Sequence, residues 1–272
     1  MDTAVEGLDH ALIGVQDLEA ARAGWERLGF TLTPRGRHTG WGTANYCIMF
    51  PYDYLELLGI VDAQQFTNNL DRFLAERGEG LLSLAFASSD IEESARLLSE
   101  QDVDHGGPKD LSRGLELPEG TVEPAFRLLH PAPEASPAFP AFICQHLTPE
   151  MVWQPQWTSH ENAATAVREV QVTCAHPGET AMAYAALLGG DNLEISDGRA
   201  VLTCGPCRIL LQPLTDTVGV REGLSGLSLL SGDLKRTEAC LRRNGVTCTL
   251  DDEGVHVPGE EATGVPLSFV SH

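Results

Sequence analysis

Positive charge is scarce in this chain. Eighteen lysines and arginines stand against 39 aspartates and glutamates in 272 residues, a formal net charge of −21. Such a surface repels phosphate backbones and anionic lipid, which argues against nucleic acid and membrane surfaces as partners. No uninterrupted apolar run approaches the ~20 residues that a helix needs to cross a bilayer. The opening MDTAVEGLDH also lacks a basic segment followed by an apolar stretch, so a cytoplasmic protein is expected. Seven cysteines, scattered and odd in number, do not make a disulfide framework. Glycine-rich phosphate loops and a serine-hydrolase elbow are missing too. One dithiol motif, Cys204-Gly205-Pro206-Cys207, lies between the β-like runs AVLT and RILLQ. Its Gly205-Pro206 reads as a hairpin turn, with no helix start to activate a thiol.

Against these absences stands a fourfold repeat. LDHALIGVQDLEAARAGWERLGF (8–30), LLSLAFASSDIEESARLLSEQDV (81–103), VREVQVTCAHPGETAMAYAALLGG (167–190) and GLSGLSLLSGDLKRTEACLRRNGV (223–246) share one plan. Each runs from a short apolar strand through an acidic or polar cap into an amphipathic helix. A single copy cannot bury its own apolar face, so the copies must pair. Aligned on the caps, Asp17, Asp90 and Asp233 fall together, with His176 or Gly178 in the third copy. Seven residues earlier stand His10, Ser83, Gly226 and, on the His176 alignment, Glu169.

Strands at 30–36, 43–50 and 54–60 follow the first helix and complete a βαβββ unit, and a helix is expected near 66–77. The second unit carries a turn-rich excursion at 105–124 before strands at 125–130 and 141–147. Units three and four are shorter, with strands at 192–196, 199–204 and 207–213, then 246–250, 253–257 and 265–271. The expected fold is α+β, with tandem βαβββ modules paired into two domains. An N-terminal domain at 1–147 holds modules 8–60 and 81–147. A linker at 148–166, read as a strap on the first domain because Trp153 and Trp157 are costly to leave in water, leads to a C-terminal domain at 167–272 with modules 167–213 and 223–271.

The paired units, the opening LDHALIGV with its AARAGWERLGF helix, and YLELLGI closing the first unit resemble the vicinal oxygen chelate superfamily of glyoxalases, bleomycin-resistance proteins and dioxygenases. The segment GRHTGWGTANYCIMF (36–50) is similar to its glyoxalase-like branch, and FICQHLTPEMVWQPQWTSHENA (142–163) resembles a phrase in bacterial members of that branch. The resemblance implies two open barrels of that type, the C-terminal one degenerate. It also implies a divalent metal held by the first and fourth strands of each unit. On this chain His10 matches the first-strand ligand and Glu56 the fourth-strand ligand of unit one. Unit two has Ser83 at the first place, and its last strand offers Cys144, Gln145 and His146.

With His146 borrowed, His10, Glu56 and His146 make a set of two histidines and one carboxylate suited to iron, manganese, zinc or nickel. Trp41, Asn45, Arg127 and Cys144 are the candidate substrate-binding residues. Arg127 or Arg113 would meet an anionic group through the planar guanidinium, and His38 or His160 would guard the mouth. Two readings stay open. One is a metal-dependent lyase, isomerase or dioxygenase acting on a small oxygenated molecule in the N-terminal cleft. The other is a metal-free protein that sequesters a small molecule, in which His10 is a buried strand histidine and Glu56 pairs with Arg35, Arg127 or a strap residue. A homodimer fits either.

Overall fold

The computed structural model describes residues 3–214 and 221–271. The first two residues and His272, which the expected domain bounds include, lie outside the described residues, as do 215–220. Three of the four repeat caps act alike: the carboxylates of Asp17, Asp90 and Asp233 accept backbone N–H groups of the first helical turn, satisfying donors that have no partner within the helix. His176 opens the third helix without a side-chain cap, and Pro177 in the first turn leaves fewer donors to satisfy.

Unit one runs β1 (Gly7–Val15), α1 (Leu18–Arg27), β2 (Gly36–His38), β3 (Thr43–Met49) and β4 (Tyr54–Ile60). After α2 (Leu70–Arg77), unit two runs β5 (Gly80–Ala87), α3 (Ile91–Glu100), β6 (Lys109–Leu117), β7 (Gly120–Val122), β8 (Ala125–Leu129) and β9 (Ala141–His146). The short α4 (Pro149–Val152) precedes unit three: β10 (Ala164–Cys174), α5 (Pro177–Leu188), β11 (Leu193–Ser196), β12 (Arg199–Cys204) and β13 (Cys207–Pro213). Unit four is β14 (Gly223–Ser231), α6 (Leu234–Arg243), β15 (Thr249–Leu250), β16 (Val255–Val257) and β17 (Leu267–Val270).

In every unit the first and last strands are parallel neighbours, and the first strands of paired units run antiparallel, β1 on β5 and β10 on β14. The first sheet has the order β2-β3-β4-β1-β5-β9-β8-β6-β7, and β2 also pairs with β6. That seam closes eight strands into a ring and sets His38 opposite Arg113. The second sheet, β11-β12-β13-β10-β14-β17-β16-β15, stays open among the described residues.

Several elements are shorter than their sequence suggests, two of them for a visible local reason. Residues 30–35 form no regular strand. Thr33 donates one ladder bond to Cys47 O at 2.8 Å, and Pro34 beside it has no N–H to give. The helix expected near 66–77 begins only at Leu70, because Asn68 and Asn69 both take left-handed backbone angles and Phe66 bridges to Trp41 instead. Residues of the 148–166 segment contact the first barrel. Trp153 Nε1 donates to Phe50 O at 3.0 Å, Trp157 is buried, and His160 accepts from Thr31 N at 3.1 Å and donates to Met49 O at 2.9 Å.

One apolar core runs through both halves. Phe30 stacks on Phe269, Trp25 Nε1 donates to Thr263 Oγ1 at 3.0 Å, and the Tyr184 ring lies on Phe139 while its hydroxyl donates to Phe139 O at 2.7 Å. The Cys204–Cys207 segment is the hairpin turn between β12 and β13. At Gly205, with φ 59°, a side chain would meet Glu6 O at 3.1 Å. Burial pushes the Cys204 thiol up to about 12 and holds the Cys207 thiol well above its ordinary value, so neither is a nucleophile.

Asp53, 2% exposed in the β3–β4 turn, accepts the Val167 N–H of β10 at 3.0 Å and so ties the first barrel to the third unit. Burial, reinforced by Asp9 and only partly offset by that hydrogen bond, pushes its carboxyl from 3.8 up to about 7. The folded chain therefore binds this proton more tightly than the unfolded one. The contribution favours folding below about pH 4 and is lost as pH rises to about 7. Asp53→Asn keeps the acceptor oxygen and removes the charge. Urea unfolding should show the variant more stable than its parent at pH 8, by up to about 4 kcal/mol, and the difference should shrink towards zero near pH 4.

Candidate active site

The eight-stranded ring encloses a cavity of about 570 Å3, counting its open mouth. Because strand side chains alternate, inward positions recur two apart: His10 and Leu12 on β1, Tyr54, Glu56 and Leu58 on β4, Phe126 and Leu128 on β8, Phe142 and Cys144 on β9. Asn45, His38 and Arg113 complete the inner wall, with Trp41, Asn68 and His130 also on the lining. Of the residues singled out in the sequence, His10, Glu56, Trp41, Asn45 and Cys144 thus share one cavity.

Arg127 is not among them. It sits between two inward residues of β8, so its side chain leaves by the opposite face and pairs with Glu92 at 2.8 Å and Asp110 at 3.2 Å. Arg113 is the arginine inside. His160, held by the strap contacts above, does not reach the mouth, whereas His38 lines the cavity.

The polar centre is built on a β-bulge. The β1–β5 register passes from Leu8 opposite Phe86 to His10 opposite Ala85, leaving Asp9 as an extra residue. A bulge breaks the alternation and lets neighbours face the same side, and Asp9 Oδ1 lies 2.5 Å from His10 Nδ1 and 3.2 Å from His146 Nε2. Burial alone would raise the Asp9 carboxyl; His146 first and then His10 outweigh it and hold it well below the ordinary carboxylate value. An ionised carboxylate only accepts, so His10 Nδ1 carries the proton and Nε2 points away from Asp9.

There it meets Glu56, with Oε2 at 3.4 Å. Glu56 Oε1 accepts from Asn45 Nδ2 at 2.6 Å, and His38 Nε2 stands 3.9 Å from the same oxygen. Burial pushes Glu56 up, but His10, His38, Arg113 and the Asn45 bond together bring it below its ordinary value. Arg35, offered in the sequence as its counterion, goes to Glu116. Burial also lowers His38, against the pull of Glu56, while its Nδ1 lies 2.9 Å from Thr43 Oγ1.

His146 stands behind this layer. Its ring is surrounded by Phe126, Trp153 and Tyr54, its Nε2 faces Asp9, and its Nδ1 is buried without a partner. It is no neighbour of Glu56 in the cavity; the structure joins it to His10 through Asp9. Strand register explains why. Leu12 lies opposite Glu56, and the corresponding pair in unit two is Ala85 with Phe142. Phe142, edge-on to His10, therefore occupies the place that the sequence reading gave to Cys144, Gln145 or His146. Ser83 donates to Pro140 O and stays off the cavity wall. In the second half Glu169 is bound by Arg208 at 2.7 Å.

Two donor sets bear on a metal. Among the described residues, Asp9, Cys144 and His146 form the group whose ligand atoms all lie within 4.8 Å of one another. There Asp9 is already engaged by two imidazoles, and burial keeps the Cys144 thiol well above its usual value, hence protonated. The second set is His10 Nε2 facing Glu56 Oε2, with His38 alongside. A neutral His10 would put lone pair against lone pair at 3.4 Å, and a proton or a cation between them resolves that opposition. The Asp9–His10 bond also matches the arrangement in which a carboxylate fixes the tautomer of a ligating histidine. The His10–Glu56 pair therefore fits a metal better than the Asp9–Cys144–His146 group.

Removing Asp9 would leave two buried imidazoles without their shared acceptor. Asp9→Ala should cost about 3–5 kcal/mol at pH 7. Because the folded carboxyl is depressed, its contribution is present above about pH 4 and is lost as pH falls further. The gap between parent and variant in guanidinium unfolding should therefore be smaller at pH 2.5.

Comparison with known proteins supports the architecture. A hypothetical protein from Staphylococcus aureus superposes with a TM-score of 0.74 at 14% identity, covering 97% of this chain and 99% of its own. A mutant of 4-hydroxymandelate synthase from Streptomyces coelicolor gives 0.61 at 14% identity, over 98% of this chain and 92% of that one. A xylose isomerase-like TIM barrel/4-hydroxyphenylpyruvate dioxygenase fusion protein gives 0.62 at 12% identity, over all of this chain but 49% of the fusion. At such identities the likeness is one of fold. No curated protein matches the chain in sequence. Among the described residues no helix is long and apolar enough to cross a membrane. The family model of the glyoxalase-like domain matches residues 8–188, from β1 to the end of α5. On that match, carried by the paired βαβββ units of the first barrel, the chain belongs to the glyoxalase-like domain family.

Proposed function

We propose that the first barrel is the active site of a metal-dependent enzyme that acts on a small oxygenated molecule, as a lyase or isomerase of the glyoxalase kind or as a dioxygenase. The observation that carries this reading is the His10–Glu56 pair, with Nε2 and Oε2 facing each other 3.4 Å apart inside the barrel cavity. His10 and Glu56 would hold the metal, with His38 as the nearest further nitrogen. A bound iron, manganese, zinc or nickel ion supplies Lewis acidity towards adjacent substrate oxygens.

The protein's own groups do the rest. Asp9 fixes the tautomer and aim of His10, and Asn45 fixes Glu56. Trp41, Tyr54, Phe126 and Phe142 exclude water and supply flat apolar walls. Cys144 stays protonated and acts as a wall, not as a nucleophile. A cytoplasmic setting belongs to the same reading, in keeping with seven free thiols.

The metal-free binding protein remains the second reading, favoured by Phe142 and Ser83 standing where unit two would supply ligands. Metal analysis of the chain purified without added ions separates the two. Stoichiometric metal in the parent, a loss of affinity of about 10–100-fold in Asp9→Asn and loss of the metal in His10→Ala are expected. A parent that takes up no metal even when offered each ion in turn would establish the binder.

A further inference from the structure

Arg113 is 2% exposed, and its guanidinium is barely used. Nη1 donates to Cys47 Sγ at 3.1 Å, while Nε and Nη2 are buried with no hydrogen-bond partner. Those two nitrogens form one edge of the planar group, the edge that binds both oxygens of a carboxylate at once. Burial pushes the Cys47 thiol up, so Cys47 is no counterion, and Glu56 is committed to Asn45 and His10. A buried donor pair left open is costly unless something else fills it.

The surroundings hold the group in this pose. The β2–β6 seam places Arg113 opposite His38, and the Phe126 ring lies 5.6 Å from the guanidinium carbon. On the other side Gly36 makes room: a Cβ there would lie 3.1 Å from Arg113 Cδ, 3.2 Å from Nη1 and 2.2 Å from Asn45 Oδ1. Close approach, with no demand on φ, is what requires the glycine.

Resting on the reading of this cavity as an active site, we infer that its substrate is a monocarboxylic acid with an apolar, ring-sized body, docked by its carboxylate on the Nε–Nη2 edge of Arg113. The aromatic walls take the carbon body and His10 and Glu56 face its reacting oxygens. A phosphate monoester is the poorer fit, since a dianion would stand near ionised Glu56 with one arginine edge and no loop of backbone N–H groups to meet it.

Calorimetric titration of the full chain with phenylacetate, hexanoate, phenylacetamide and phenyl phosphate tests this. The parent should bind phenylacetate at least about tenfold tighter than phenylacetamide, and Arg113→Gln should abolish that preference. The preference should persist in parent protein treated with a chelator, so that a failure of the metal reading leaves this one standing. Because Arg113→Gln removes a buried charge and risks misfolding, the 15N resonance of Arg113 Nε in the parent gives a second readout, and it should shift on adding phenylacetate. Equal binding of acid and amide, no binding of either acid, tighter binding of phenyl phosphate, an unmoved Nε resonance or a preference that survives in folded Arg113→Gln would each overturn the inference.

Discussion

A single buried carboxylate organises the first barrel. Asp9 accepts from His10 on one side and from His146 on the other, so one charge orients both imidazoles. The arrangement is possible because β1 carries an extra residue at that point. Without the bulge, Asp9 and His10 would project to opposite faces of the sheet. The cavity chemistry thus depends on a backbone irregularity one residue long, held by the strands on either side.

The four units share their strand pairing, yet they have diverged in what they hold. Unit one supplies His10, Asn45 and Glu56; unit two answers with Ser83, Phe142 and the buried Arg113. The candidate metal ligands are therefore gathered on one side of the ring, while both sides supply aromatic walls and the second adds Arg113 and His130. The second half keeps the fold, and an internal ion pair between Glu169 and Arg208 occupies the strands where unit one carries its donors.

Much of the fold was legible because the repeat is written in hydrophobic periodicity and in the caps at Asp17, Asp90 and Asp233. Both are local signals, and both survive in the structure. The meeting of His10, Glu56, Asn45, Trp41 and Cys144 was legible too, through strand alternation and family resemblance. What escaped depended on register. Nothing in LDHALIGV announces a bulge, so Asp9 passed unnoticed. Choosing among Phe142, Cys144 and His146 required the pairing of β5 with β9. The choice between Arg127 and Arg113 turned on which face of β8 and of β6 looks inward, and the turn-like composition of 105–124 hid the nine-residue strand β6 and so its parity.

The shared core has a consequence for how such a chain tolerates change. Phe30 against Phe269 and Tyr184 against Phe139 join the two halves, while the inner face of the open sheet holds no ligand set among the described residues. Substitutions can accumulate on that concave side at little expense to the first barrel, whereas the convex side is constrained by a neighbour it must continue to fit. The second half would then act as a buttress, with its two faces drifting at very different speeds over generations of descent.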